Sequence, residues 1–152
     1  MNLDDTEEKE IKSILMPLKL TGTSINALKM ARTLARCCSA RLEILSVVNS
    51  AAEPDASTDD TGATDMESAK TRIQDLYREP LKRVENLNVT CRRGDPAREI
   101  VAHAAACEAD LIVLGCHFRD DRPCYNRLGE VAQIIFQRAP CAVMLVPCQK
   151  SE

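Results

Sequence analysis

The sequence predicts an α/β domain built on one open, five-stranded parallel sheet with helices on both faces. Three observations predict it. Leu111-Ile112-Val113-Leu114, ending at Gly115, and Ala142-Val143-Met144-Leu145-Val146, ending at Pro147, are apolar without alternation, as strands covered on both faces are. Segments between such runs repeat their apolar residues every three to four positions, the period of an amphipathic helix. The two kinds of segment alternate along the chain, which suits right-handed crossovers over a parallel sheet.

Ile14-Leu15-Met16, before Pro17, is the first strand. The first helix places Ile25, Leu28, Ala31, Ala35 and Cys38 on one face, behind the capping candidates Thr23 and Ser24. Leu42 to Val48 is the second strand. Ser50 to Thr64, rich in Ser, Thr, Asp and Ala, can bury little and reads as a flexible insertion inside the domain. A helix over about Met66 to Asn86 carries Ile73, Tyr77, Leu81 and Val84, and Pro80 must kink or divide it. Asn88 to Arg92 is a shorter, weaker strand.

Asp95-Pro96 is a strong helix start, because Asp caps and Pro needs no N–H in the first turn. Ala97, Ile100, Ala104 and Cys107 then form a buried stripe, with His103 expected at the helix edge. After the fourth strand, Val131, Ile134 and Ile135 give the last helix its apolar face. Residues 1–11 read as an acidic tail and 12–148 as one domain. No internal repeat is present.

Composition excludes several functions. The chain has 152 residues, 45% hydrophobic and 28% charged, the balance of one ordinary globular domain. Twenty Lys plus Arg against 23 Asp plus Glu give a net charge of -3, without the basic stripe that nucleic acid attracts. No apolar run approaches the ~20 residues that span a bilayer. The N-terminus is acidic, unlike a secretion signal. We therefore expect a cytoplasmic protein with neither nucleic acid nor membrane insertion among its partners. Trp is absent and aromatics make up 3%, which disfavours base-stacking platforms.

Eight cysteines fall below the roughly 8–10% of the chain that marks a disulfide scaffold. No Cys-x-x-Cys pair occurs, and the neighbours Cys37 and Cys38 point about 100° apart on a helix, unsuited to one ion. Cys107, Cys116 and Cys141 lie in or beside apolar runs and read as small hydrophobes. Cys124, near Arg122 in a polar loop, is the candidate for redox sensing.

Ligands of open α/β sheets sit beyond the carboxyl ends of strands, where strand order reverses. That selects the segments after the first strand (Lys19 to Thr23), after Val47-Val48, and from Gly115 to Leu128. The last opens and closes on glycine and runs into a helix N-terminus, where backbone N–H groups favour an anion. Arg119, Arg122 and Arg127 add positive charge. The alternative is a polar loop whose arginines are offset by Asp120 and Asp121.

Gly94-Asp95-Pro96-Ala97, Glu99-Ile100-Val101 and Ala109-Asp110-Leu111-Ile112-Val113-Leu114-Gly115 with His117 resemble the universal stress protein family. Ile14-Leu15-Met16-Pro17 with Ser24, Ala27 and Leu28, and Ala139-Pro140-Cys141 through Val146-Pro147, are similar to its two ends. The resemblance covers about residues 12–148. It implies a Rossmann-like, adenine-nucleotide alpha-hydrolase-like sheet of strand order 3-2-1-4-5. It also implies a homodimer through the last strand, here Ala142, Val143, Met144, Leu145 and Val146. Such pairing would remove an apolar, uncharged edge; shielding by the N-terminal tail is the alternative.

Many members of that family bind ATP, and the resemblance assigns backbone contacts near Pro17, Val47, Gly115 and Gly129. His117, which matches a family loop position, and Glu130 and Val131 complete the candidate nucleotide- or anion-binding set. Charge adds Lys19, Arg119 and Arg127. The family's glycine motif is degraded here. Gly115 and Gly129 match, but the middle glycine is Phe118, and Glu130 replaces the Ser or Thr after the last glycine. Phe118 brings a side chain where phosphate approaches backbone. Glu130 puts a carboxylate at a helix N-terminus, where it repels phosphate. Lys19 stands where the family has a ligand-binding Asp.

Three readings result. The first is a non-catalytic regulatory homodimer acting through a protein partner, without standard ATP binding. The second is a switch that responds to ATP, another adenine nucleotide or a related anion in the crevice between the first and fourth strands. An enzyme ranks last, because neither a Gly-x-Ser-x-Gly elbow nor a Gly-Lys-Ser/Thr P-loop occurs. His103 and His117 each lack an assignable nucleophile, and Asp120-Asp121 reads as a solvated pair rather than a metal site.

Overall fold

The computed structural model describes residues 8–18, 25–49, 62–116 and 129–147. In chain order these form β1 (Ser13–Pro17), α1 (Ile25–Cys38), β2 (Arg41–Asn49), α2 (Gly62–Leu76), α3 (Arg78–Leu81) and β3 (Leu87–Gly94). Then come α4 (Pro96–Ala106), β4 (Leu111–Cys116), α5 (Glu130–Arg138) and β5 (Ala142–Pro147). All strand pairs are parallel, in the order β3-β2-β1-β4-β5. This is the expected sheet and order.

Each central strand feeds two cores, which is why its apolar run does not alternate. Ile14, Met16, Leu42, Ile44 and Val113 meet α1, α2 and α3 on one face. Leu15, Leu45, Ile112 and Leu114 meet Ile100 and Ala104 of α4 and Ile135 of α5 on the other. Successive side chains of a strand point to opposite faces, so a covered strand must be apolar at every position.

Three expectations change. Pro80 divides the long helix, but the break falls at Tyr77: α2 ends at Leu76 and α3 starts at Arg78. A proline ring clashes with the carbonyl four residues earlier, here that of Leu76, whereas within α3 Pro80 sits in the first turn. The released Pro80 carbonyl accepts a hydrogen bond from Arg32 Nη1 of α1 at 3.0 Å. Next, α2 begins at Gly62, so the insertion expected over 50–64 is helical at its last residues; 50–61 lie outside the described residues. Finally, Ile25 and Cys38 of α1 are exposed, and Ala27, Leu28, Ala31 and Ala35 are the buried stripe. Three of those four are alanines, which lets the helix approach the sheet closely.

α1 and α4 end alike. Ser39 and Glu108 take φ of 52° and 51°, and the next amides return to the helix, Ala40 N–H to Ala35 O and Ala109 N–H to Ala104 O. These are left-handed caps, each on a residue other than glycine. The Asp95 side chain caps α4, accepting from Arg98 N–H at 2.9 Å.

Asp110, conspicuous in the Ala109-Asp110 motif, has a structural task. Its Oδ2 accepts the backbone N–H of Lys12 at 2.8 Å and of Ser13 at 3.1 Å, tying the start of β1 to β4. The Lys12 amide, followed by the Ser13 amide and the Lys9 and Lys12 ammonium groups, holds this carboxyl below its ordinary value of 3.8. A depressed folded value means stability that is present at neutral pH and lost as pH falls through the carboxylate range. Asp110→Asn should therefore cost about 1–2 kcal/mol at pH 7. Urea titrations should show that difference shrinking towards zero on acidification; a constant difference would refute it.

Candidate functional site

The expected site falls at the carboxyl ends of the strands, where strand order reverses between β1 and β4. Pro17 ends β1 and Val47 lies near the end of β2. Leu18 N–H still reaches Leu45 O at 2.8 Å, continuing that ladder. On β4, Gly115 is paired with Val146 of β5 and Cys116 with Pro147. The strand thus runs one residue past Gly115, and the expected loop starts later than the sequence suggests. Of the expected site residues, the structure brings Pro17, Val47 and Gly115 together at one end of three adjacent strands.

The helices α4 and α5 both begin at this end, as crossover helices must. Gly129 is the N-cap of α5, without a side-chain capping bond. A Cβ built on it would meet nothing within 4 Å, so space does not require glycine there. Glu130 is exposed in the first turn, where its carboxylate faces the helix dipole. Val131 is half-buried and packs on the second core, a core role rather than a ligand-facing one. Lys19, His117, Phe118, Arg119, Arg122 and Arg127 lie outside the described residues, as do Asp120, Asp121, Thr23, Ser24 and Cys124.

His103 is not at an edge. It is 7% exposed, turned from α4 onto β2, with Nε2 3.8 Å from Glu43 Oε2. The Glu43 carboxylate also accepts from Asn88 Nδ2 at 2.9 Å and lies 3.2 Å from Arg41 Nε. This polar joint sits on the α4 face towards the amino ends of the strands, away from the crevice. Its sequence signal is a lone carboxylate inside a mostly apolar strand. A buried carboxylate needs partners: Asn88 donates a hydrogen bond and Arg41 supplies an ion pair, while His103 stands close by with neither ring nitrogen hydrogen-bonded.

Three of the described thiols are quiet. Cys91, Cys107 and Cys141 are half-buried and free, and burial pushes each of them up, which keeps them protonated and unreactive. Cys37 and Cys38 are exposed and free, and Cys116 is buried. Among the described residues, no three His, Cys, Asp or Glu side chains could hold a metal ion, and no helix is long and apolar enough to cross a membrane.

A sequence profile of the universal stress protein family matches residues 10–147. The chain belongs to that family. Solved structures with the same fold include universal stress protein UspA from Lactobacillus plantarum. It is 24% identical with a TM-score of 0.65, over 91% of this chain and 99% of that one. A universal stress protein in complex with cAMP is 15% identical, TM-score 0.65, over 93% and 100%. The universal stress protein from Archaeoglobus fulgidus in complex with dAMP is 16% identical, TM-score 0.61, over 90% and 98%. Comparison with curated proteins finds no match.

Proposed function

We propose that the protein is a non-catalytic, cytoplasmic regulatory member of the universal stress protein family. It forms a homodimer through β5, acts through a protein partner and does not bind ATP in the standard manner. The observation that carries this reading is Glu130 in the first turn of α5. A carboxylate there meets the electrostatic need that a triphosphate would otherwise meet, and repels one.

The dimer reading rests on the β5 edge. Ala142 to Val146 carry no charge, and an uncharged apolar edge invites pairing. Exposed apolar side chains flank it from both layers. Phe136 is 62% exposed; it follows the inward Ile135 and so projects about 100° round α5. In a right-handed crossover that is the flank away from α4, towards the β5 edge. On the other layer Arg32 of α1 reaches α3, so Met30, 41% exposed, lies on the opposite flank, again towards β5.

Sedimentation should show a dimer, and Phe136→Lys should weaken it by about tenfold or more while leaving thermal unfolding of the isolated chain unchanged. A monomeric wild type would sink the dimer. Mass spectrometry of the denatured, purified protein tests the rest: stoichiometric ATP released from it would overturn the first reading.

A second reading is favoured by the relatives solved with cAMP and dAMP. It is a switch responding to an adenine nucleotide of that monophosphate kind in the crevice at Pro17, Val47 and Gly115. A thermal shift with AMP but not ATP would support it over the first.

A further inference from the structure

Side-chain alternation sorts the carboxyl-end residues by face. Leu15 and Leu45 point to α4 and α5, so Pro17 and Val47, two residues on, do so too. Arg92 of β3 is the register partner of Val47 and shares that face. Pro17 on β1, Val47 on β2 and Cys116 on β4 lie on it as well, and among these described residues Arg92 is the charged one. Its side chain is 46% exposed, and its Nη1 stands 3.9 Å from Glu99 Oε2, beyond hydrogen-bond distance.

Glu99 owes its place to Gly94, whose φ is 156°. A Cβ on Gly94 would come within 2.9 Å of Glu99 Cγ and Oε1. The bare backbone lets that side chain fold over the end of β3 beside the guanidinium, which it orients without saturating. At the opposite rim α5 presents Glu130, and α4 is already capped by Asp95. Among the described residues the rim is therefore polarised, with a cation at β3 and a carboxylate at α5.

We infer that a nucleoside monophosphate in this crevice is held with its phosphate against Arg92, at the β3 end, rather than at α5. This rests on the second reading of the preceding section. The guanidinium fork matches two phosphate oxygens, while Glu130 repels phosphate from the α5 dipole.

Calorimetric titration of the purified full chain with AMP and with adenosine tests the inference. Arg92→Ala should weaken AMP binding roughly 10- to 100-fold and leave adenosine binding unchanged. Wild-type AMP affinity in Arg92→Ala, or equal losses for AMP and adenosine, would each overturn it. If the wild type binds neither compound, the nucleotide reading itself falls, and that failure is visible before any substitution is made. Unaltered thermal unfolding of Arg92→Ala in buffer separates lost contact from lost fold.

Discussion

Arg41→Ala is expected to destabilise the protein by about 3 kcal/mol, although Arg41 is a half-exposed residue at the start of β2. The reason is the carboxylate it leaves behind. The Glu43 side chain is only 6% exposed, and Arg41 Nε is its cationic neighbour at 3.2 Å. Arg41 Nη2 also donates to Cys107 O at 2.8 Å and Ser13 Oγ at 3.3 Å, which joins β2 to β1 and the end of α4. Removing the guanidinium leaves a buried carboxylate served by Asn88 Nδ2, with His103 Nε2 at 3.8 Å.

Uncompensated buried charge is costly, whereas replacing both members of a buried pair by apolar groups is often neutral. Arg41→Met with Glu43→Leu should therefore recover most of the loss suffered by Arg41→Ala. Equilibrium denaturation of the two variants decides the matter. If the double variant is no more stable than Arg41→Ala, the joint works through packing and the electrostatic account is wrong.

Ile112→Ala should cost about 2–5 kcal/mol, through lost transfer energy and the cavity left in place. Ile112 is fully buried in β4, paired with Leu15 of β1 and Val143 of β5. It belongs to the core that α4 and α5 share. Neighbouring strands cannot collapse into the gap without breaking their ladders. Phe136→Ala, on the solvent side of α5, should change the stability of the isolated chain by less than about 0.5 kcal/mol. A similar loss for both would contradict the division between core and edge, and one denaturant series on a dilute sample measures it.

Much of the fold was legible because its signals are local. Apolar runs ending at Gly115 and Pro147, and the Asp95-Pro96 helix start, each act within a few residues. Their alternation leaves few topologies that obey right-handed crossovers. The break at Tyr77 was half legible: Pro80 announced it, but its position depends on a clash four residues earlier. His103 was misplaced because helical spacing reports a side chain's direction and not what stands opposite. Its burial depends on Glu43, sixty residues earlier in the chain, which only the sheet brings near.

The candidate site divides in the same way. Glu130 and Gly129 were identifiable from spacing against the family motif, since helix N-termini are sequence-local. Arg92 was not, because its position beside Val47 is a matter of register between β2 and β3. The sequence alone determined the alternation of elements, the family and the degraded glycine motif, since each depends on residue type and short spacing. Only the tertiary structure decided that Asp110 serves β1 and that Glu43 gathers Arg41, Asn88 and His103. It alone set Arg92 beside Val47 at the carboxyl ends of the strands. Those contacts join residues far apart in the chain, and strand register and crossover packing set their distances.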